Sequence, residues 1–121
     1  MAFKDLLRTA VDQVPGAVLC TLMGRDGIAI DTYEGPALAG RDMAATTVEL
    51  TSLFNQVRQA ASGLNTGPLQ ELSVAGKDLQ AVLRAVTDDY FLALILDARG
   101  SSGKGRYLLR VLQPRMVAEL A

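Results

Sequence analysis

The sequence predicts an α+β domain in which helices cover both faces of an antiparallel sheet. Three segments repeat their apolar residues with helical spacing, and five shorter apolar segments lie between turn signals. Several of those turns are short enough for hairpins, so the strands within each group are expected to be antiparallel. The order is helix, two strands, helix, three strands, helix, which places helices where both sheet faces can be covered.

The first helix and hairpin occupy the N-terminal third of the chain. Phe3–Val14 is predicted to be an amphipathic helix because its apolar residues recur on one face. Pro15 and Gly16 end this helix, since proline cannot continue the hydrogen-bond ladder. An interior strand, Ala17–Met23, and an edge strand, Ile28–Glu34, follow, joined by a turn that contains an Asp-Gly pair.

The middle of the chain, Gly40–Leu64, is predicted to be one long helix with two usable faces. The wide apolar face is expected to pack on the sheet; it carries Met43, Leu50, Leu53, Phe54, Val57, Ala60, Ala61 and Leu64. The opposite face is small or polar and nearly uncharged; it carries Ala44, Ala45, Val48, Ser52, Asn55 and Gln59. This second face is either an alanine-rich solvent surface or a surface that meets a partner.

The C-terminal half changes to strand-like patterns and ends in a helix. Leu69–Ala75 alternates and is predicted to be a short strand. Leu79–Val86 matches a helical template, but its eight residues between two turns favour a strand. Tyr90–Asp97 is the most apolar run and is predicted to be a central strand buried on both faces. Gly105–Leu120 is helical in pattern, and Pro114 is expected to kink or split it.

Length and composition limit the class of protein. The 121 residues fit a single domain, 1–121, and 50% of them are hydrophobic, which is enough for a sizeable core. The net charge of −1, with both signs interspersed, argues against a surface for nucleic acid or an anionic membrane. The longest apolar run, Tyr90–Leu96, is far shorter than the ~20 residues of a membrane-spanning helix. The single cysteine and the absence of a signal pattern indicate a cytoplasmic protein.

Residue types that support catalysis or metal binding are sparse. The chain has no histidine, which excludes imidazole acid–base chemistry and histidine metal ligands. Cys20 lies in a predicted buried strand, where a packing role is expected. The loop Gly100–Gly105 resembles a phosphate-binding loop, but Gly105 replaces the required Ser or Thr and Ala98 replaces the first glycine. We therefore expect no catalytic, cofactor-binding or metal-binding residues.

Five stretches together carry a resemblance to a known family. They are Val14–Ala17, Asp26–Ile30, the alanine-rich middle helix, Phe91–Leu96 and Gly103–Leu109. In order and spacing they resemble the roadblock domain family, which is named for a dynein light chain. Within that family the chain looks most similar to the MglB-like partners of bacterial gliding-motility GTPases. The resemblance covers nearly the full length.

The resemblance implies a profilin-like, three-layer α/β/α sandwich with a five-stranded antiparallel sheet. It assigns Leu79–Val86 to a strand. It also implies a homodimer or heterodimer, in which middle helices pack together and edge strands, here Leu69–Ala75, join the two sheets. The predicted dimer interface contains Ala44, Ala45, Val48, Ser52, Asn55, Leu69, Glu71 and Ser73.

The family resemblance also implies a function. Members of the family bind small GTPases as regulators or serve as adaptor subunits, and none is expected to be an enzyme. The predicted function is a non-enzymatic homodimeric regulator of a small Ras-like GTPase. The first alternative is a structural adaptor or scaffold with no effect on nucleotide turnover, and the second is an enzyme or ligand sensor that uses Gly100–Gly105. The predicted GTPase-binding residues are Arg41, Thr51, Asn55, Arg58, Gln59 and Ser62.

Overall fold

The computed structural model describes residues 3–121. Three α-helices and five strands follow one another in the predicted order, with one additional 3-10 turn at Pro36–Leu38. The elements are α1 (Phe3–Gln13), β1 (Ala17–Gly24), β2 (Ala29–Glu34), α2 (Ala44–Ala61), β3 (Glu71–Ala75), β4 (Leu79–Ala85), β5 (Tyr90–Asp97) and α3 (Ser102–Leu120).

The five strands form one antiparallel sheet in the order β2-β1-β5-β4-β3. All residues of β1 are buried, as are the six residues Phe91–Leu96 of β5. Successive side chains of a strand point to opposite faces, so both faces of this central pair are covered. This confirms the predicted α+β fold with an antiparallel sheet. β2 and β3 form the two edges.

The buried apolar residues divide into two clusters, one on each face of the sheet. α1 and α3 cover one face with residues such as Leu7, Leu109 and Met116. α2 covers the other face, where the Phe54 ring stacks on Phe91 with a centroid distance of 4.7 Å. The result is the predicted three-layer arrangement of helices, sheet and helix.

The ambiguous segment Leu79–Val86 contains a strand that pairs with a neighbour on each side. Ala81 and Leu83 pack toward α2, whereas Val82 packs toward α1 and α3. Because both faces of β4 are apolar near its middle, its residues match a helical template as well as an alternating one.

α3 runs through Pro114 without interruption, so the predicted split of this helix is wrong. The helix also begins at Ser102, before the predicted start at Gly105. Pro114 and Arg110 are both exposed. The carbonyl group of Arg110, which loses its intrahelical partner to the proline, is therefore on a side of the helix that water reaches.

The predicted apolar face of α2 is wider than the face that the sheet covers. Leu50, Phe54 and Ala61 are buried, but Leu53 is 36% exposed and Leu64 is 67% exposed. Ala60 is exposed too, and the helix ends at Ala61, so Leu64 lies beyond it. The assignment of Leu53, Ala60 and Leu64 to the core is therefore wrong. A single helix rests on the sheet through a limited arc, and residues at the margins of a broad stripe stay outside it.

None of the helices in residues 3–121 is long and apolar enough to cross a membrane.

The turn between α1 and β1 is locked against the loop between β5 and α3. The amide of Asp97 donates to the carbonyl of Gly16 at 2.8 Å, and the amide of Ser101 donates to the carbonyl of Pro15 at 2.9 Å. Gly16 has a φ of +83°, and a Cβ atom at this position would lie 2.5 Å from Cα of Gly100. The two backbones can approach this closely only because neither residue has a side chain.

We expect Gly16→Ala to lower the free energy of unfolding by about 3 kcal/mol, because it adds backbone strain and a collision with main-chain atoms. Gly27→Ala is the matched control, since Gly27 has a φ of +88° but nothing within 4 Å of the place that a Cβ atom would take. The control should lose only about 1 kcal/mol from the positive φ. Chemical denaturation measures both losses, and equal losses would show that the contact with Gly100 carries no cost.

Candidate interaction surfaces on α2 and β3

The two flanks of α2 face different strands of the sheet. On one flank, Ala44 and Thr47 line a cleft together with Thr32 of β2. Further along the same flank, Nδ2 of Asn55 donates to the carbonyl oxygen of Arg25, in the turn between β1 and β2, at 2.9 Å. We call this the hairpin flank. Val48, four residues after Ala44, lies where this flank meets the outward side of α2.

The other flank of α2 faces β3. Thr46 and Leu50 line a cavity of about 150 Å³ together with Val74 of β3. Leu53 and Val57 follow three and seven residues after Leu50, so helical spacing places them on the same side. We call Thr46, Leu50, Leu53 and Val57 the β3 flank. This flank is more apolar than the hairpin flank.

The predicted dimer interface does not come together as one surface. Ala44, Ala45, Val48 and Ser52 are exposed, and Asn55 is half-buried, but the helix residues lie on the hairpin flank or the outward side of α2. The strand residues lie at the opposite edge of the sheet. Glu71 also points away from α2: its Oε2 accepts from Nε of Arg106 in α3 at 2.6 Å. The predicted strand residues are Leu69, Glu71 and Ser73.

The two sheet edges differ in how their backbone groups are occupied. At the β2 edge, the Thr32 amide donates to Oδ1 of Asp31 at 2.9 Å, and the Thr32 carbonyl accepts from Nζ of Lys4 at 3.0 Å. Side chains therefore occupy both polar backbone groups of Thr32, near the middle of this edge, which hinders the addition of another strand. Within residues 3–121 no side chain bonds to the backbone of β3, so its outer edge is open.

The α2-facing residues of β3 continue the apolar β3 flank. Leu72 and Val74 pack against the α2 cluster but stay half-buried. Together with Leu53 and Val57 they form what we call the β3 strip. An open strand edge beside a half-buried apolar strip can accept a second strand and a second helix. The apolar face of α2 in the sequence is wider than its contact with one sheet requires. That extra width is the sequence signal that could have predicted the β3 strip.

Thr51, which was predicted to be exposed on the GTPase-binding surface, is buried, so its predicted exposure is wrong. It is 4% exposed, and its hydroxyl donates to the carbonyl of Thr47 at 3.0 Å. Thr51 lies next to Leu50 in the arc of α2 that the sheet covers. Its hydroxyl is satisfied within the helix, so burial leaves no unpaired polar group.

The two arginines of the predicted GTPase surface are held by bonds within the chain. Nη1 of Arg58 donates to the carbonyl of Asp88 at 2.8 Å, and its guanidinium lies 5.0 Å from the centroid of the Phe54 ring. Nη2 of Arg41 donates to the carbonyl of Ala37 at 2.7 Å and lies 3.3 Å from the carboxylate of Asp97. Neither guanidinium is free on the outward side of α2.

The outward side of α2 is the part of the predicted surface that stays accessible. It carries Ala45, Val48, Ser52 and Gln59, and the side chain of Val48 is 55% exposed. Ser62 is exposed beyond the helix end, where its hydroxyl donates to the carbonyl of Gln59 at 2.6 Å. We call Ala45, Val48, Ser52 and Gln59 the outward face. It offers small and neutral polar contacts, and the exposed Glu49, four residues after Ala45, lies at its margin.

The candidate residues for metal binding and phosphate binding have structural roles. In residues 3–121 no group of three or more Asp, Glu or Cys side chains could hold a metal ion. Ser101 caps α3, since its hydroxyl accepts from the Lys104 amide at 3.3 Å and its own amide donates to Pro15. The Gly100–Gly105 loop thus uses two of its polar groups in internal bonds.

Comparison with known proteins identifies the family. The family model described as Roadblock/LC7 domain matches residues 3–96. The chain belongs to the Roadblock/LC7 family. MglC from Myxococcus xanthus is 44% identical, with 98% of this chain and 99% of that chain covered and a TM-score of 0.73. Among curated protein sequences, none matches the chain significantly.

Two more distant structures share the fold. The gliding protein MglB from Thermus thermophilus is 17% identical, with 97% of this chain and 88% of that chain covered and a TM-score of 0.81. Profilin IA from Acanthamoeba castellanii is 12% identical, with 99% and 100% covered and a TM-score of 0.59. The predicted roadblock membership and profilin-like fold are confirmed. Within the Roadblock/LC7 family, sequence identity is higher to MglC than to MglB.

Cys20 of this roadblock domain is fully buried in β1. Burial away from water raises the pKa of the thiol from its ordinary value of 9.0 to about 12. The unfolded thiol therefore ionises at a lower pH than the folded one. The folded state loses stability as the pH rises above 9, by about 1.4 kcal/mol per pH unit up to about 12.

We expect this loss to appear as a difference between wild type and Cys20→Ala. Urea denaturation at a series of alkaline pH values should show a steeper decline in unfolding free energy for wild type, because other titrating groups are common to both proteins. Parallel declines would contradict the prediction. As a second check, a thiol reagent at about pH 8 should modify Cys20 only through unfolding.

Proposed function

We propose that this roadblock domain is a non-enzymatic homodimeric partner that regulates a small Ras-like GTPase in the cytoplasm. The observation that carries the proposal is the β3 strip, an open strand edge beside a half-buried apolar surface. Identity of 44% to MglC over nearly the full length of both chains supports the assignment to a gliding-type GTPase system. The proposal contains two steps, dimerisation and GTPase docking.

The first step follows from unequal coverage of the sheet. Five strands about 4.8 Å apart make a surface roughly 20 Å wide, whereas one helix covers about 10 Å of it. α1 and α3 together cover one face, but α2 alone covers the other. A second copy would supply the missing helix. Its β3, running antiparallel to the first, would satisfy the open edge about a two-fold axis.

The β2 edge is a poorer alternative for this contact. Its Thr32 amide and carbonyl are already bonded to the side chains of Asp31 and Lys4. The neighbouring hairpin flank of α2 also carries the polar Asn55, which is fixed to the turn between β1 and β2. A partner strand there would have to displace these bonds, whereas the β3 edge requires no such displacement.

The second step follows from the dimer. Two α2 helices side by side would join their outward faces into one surface that spans the two-fold axis. A single GTPase on that axis would contact both protomers, which gives two subunits of this protein per GTPase. Val48, Ser52 and Gln59 would supply the contacts. Arg41 and Arg58 are held by internal bonds, so we assign them to stability of the fold.

A structural adaptor without effect on nucleotide turnover is the second candidate. One observation favours it: both arginines predicted for the GTPase surface are bonded to backbone carbonyl groups of their own chain rather than extended from the outward face. Regulation would have to proceed by reshaping the switch region of the GTPase itself. A measurement of GTP turnover separates the regulator from the adaptor.

We expect Leu53→Glu to convert the dimer into a monomer, because it places a charge in the apolar β3 strip. The dissociation constant should rise at least about tenfold, which sedimentation equilibrium measures. Val48→Glu is the matched control, since it introduces the same charge on the same helix but away from the β3 flank, and it should leave the dimer intact.

Two results would contradict this interface. A wild-type protein that stays monomeric at micromolar concentration would remove the dimer altogether. Loss of the dimer in Val48→Glu but not in Leu53→Glu would place the interface on the side of α2 that carries Val48, as the sequence predicted for the helix part of the interface.

We expect Val48→Glu to weaken binding of a small Ras-like GTPase encoded in the same genome by about 1–3 kcal/mol while the dimer survives. Calorimetry with the GTP-analogue-bound and GDP-bound GTPase should show tighter binding of the GTP state and one GTPase per dimer. Unchanged affinity in Val48→Glu would show that the outward face is not the docking site.

GTP turnover by the same GTPase, with and without this protein, decides between the two functions. A changed rate supports a regulator, and binding with an unchanged rate supports an adaptor. The Lys104→Ala variant should behave like wild type in this assay, because the Gly100–Gly105 loop has no assigned role in turnover.

A further inference from the structure

The outward side of α3 carries an apolar ridge that the core does not use. Tyr107, Val111, Pro114 and Ala118 recur at helical spacing and are all exposed, with Tyr107 59% and Val111 43% exposed. The ridge lies opposite the buried Leu109, so it is the convex outer surface of this layer.

Basic side chains flank the ridge on both sides. Lys104 precedes Tyr107 by three residues and Arg110 follows it by three, which places them about 60° to either side of the ridge. Arg115 lies on the same side as Lys104. No carboxylate of residues 3–121 is within 4 Å of these three cations. Glu119 is the single acidic residue of the helix.

We propose that this face of α3 binds peripherally to the surface of an anionic lipid bilayer. A helix with an apolar ridge between rows of cations can lie in the plane of a membrane. The ridge then enters the boundary between headgroups and acyl chains, while the cations contact lipid phosphates. An exposed tyrosine suits this boundary because its ring is apolar and its hydroxyl is polar.

The shape of the face favours a bilayer over an acidic protein as the occupant. A flat surface can contact the ridge and the cations on both of its sides at once. An acidic helix would have to settle on one side of the convex ridge and would contact either Arg110 or the pair of Lys104 and Arg115. The apolar ridge would then remain exposed to water.

The net charge of the chain argued against a surface for an anionic membrane, but the charge is unevenly distributed and α3 is basic. A net charge of −1 averages over the whole surface. α3 carries four basic residues and one acidic residue, and only Arg106 is paired, with Glu71. Each cation near an anionic surface strengthens binding by about fivefold. Glu119, four residues after Arg115, offsets part of the charge, so three unpaired cations give roughly a ten- to hundredfold preference for anionic over neutral lipid.

This inference is independent of the proposed GTPase function. α3 covers the face of the sheet opposite α2, so the membrane and a partner on α2 could be bound at the same time. Failure of membrane binding would not contradict the proposed roles of the β3 strip and the outward face of α2. Loss of GTPase binding would not contradict the proposed role of α3.

The first test is co-sedimentation with vesicles of phosphatidylcholine mixed with phosphatidylglycerol, compared with pure phosphatidylcholine vesicles. Wild type should bind the anionic vesicles at low salt and be released by high salt. Lys104→Glu combined with Arg110→Glu should weaken binding at least about tenfold. Arg25→Glu combined with Lys77→Glu is the matched control: both residues are exposed in turns outside α3, and the change in net charge is the same.

The second test places a fluorescent reporter on the ridge. The chain has no tryptophan, so Tyr107→Trp reports this position alone. Its emission should shift to the blue with anionic vesicles and stay unchanged with neutral ones. Thermal melting of each variant checks that the fold survives, which is expected because the altered side chains are exposed.

Three results would overturn the proposal. The first is absence of wild-type binding to anionic vesicles at low salt. The second is equal loss of binding in the α3 variant and its control, which would reflect overall charge. The third is binding of soluble poly-glutamate without binding of vesicles, which would make the face a docking site for an acidic protein. Vesicle binding by the Tyr107→Trp variant with unshifted emission would also count against it, because the ridge would not enter the bilayer.

Discussion

β1 and β5 pair along nearly their whole length, and both are apolar on both faces. That pairing requires helices on each side of the sheet, because neither face of the central strands can be left in water. The chain supplies two helices for one face and one for the other. The three-layer architecture and the unequal coverage of its two faces both follow from this central pair. The turn at Gly16 and the loop at Gly100 hold the ends of the same two strands together.

The unequal coverage gives α2 a different status from the other helices. α1 and α3 pack against each other as well as against the sheet, whereas α2 has no comparable packing against another helix within residues 3–121. On its hairpin flank the gap is bordered by occupied backbone groups and the polar Asn55. On its β3 flank the gap is bordered by apolar side chains and an open strand edge. The hairpin flank is thus suited to solvent, and the β3 flank is suited to a partner.

The sequence predicted every helix and strand, because long apolar runs and turn signals are local properties. It did not predict which residues of α2 the sheet covers, since periodicity defines the direction of a stripe but not the width of the surface beneath it. Leu53 was therefore assigned to the core and Thr51 to the surface. The role of Arg58 depends on the carbonyl of Asp88, thirty residues away, and only the folded chain brings the two together. Pro114 was predicted to kink or split α3, and the split does not occur. The Arg110 carbonyl that loses its partner lies on an exposed side of the helix, which only the folded chain reveals.

Glu71 physically connects the two surfaces that the sheet separates. It lies in β3, at the open edge, and its carboxylate accepts from Arg106 of α3 at 2.6 Å and lies 3.5 Å from Arg84 of β4. The carboxylate is thereby held at the sheet edge, away from the unpaired Lys104 and Arg110. A strand added to β3 would restrict Glu71 and hold Arg106 in place, while the cations that flank the apolar ridge of α3 would stay unpaired. Dimerisation through β3 and electrostatic attraction through α3 are therefore compatible in one molecule.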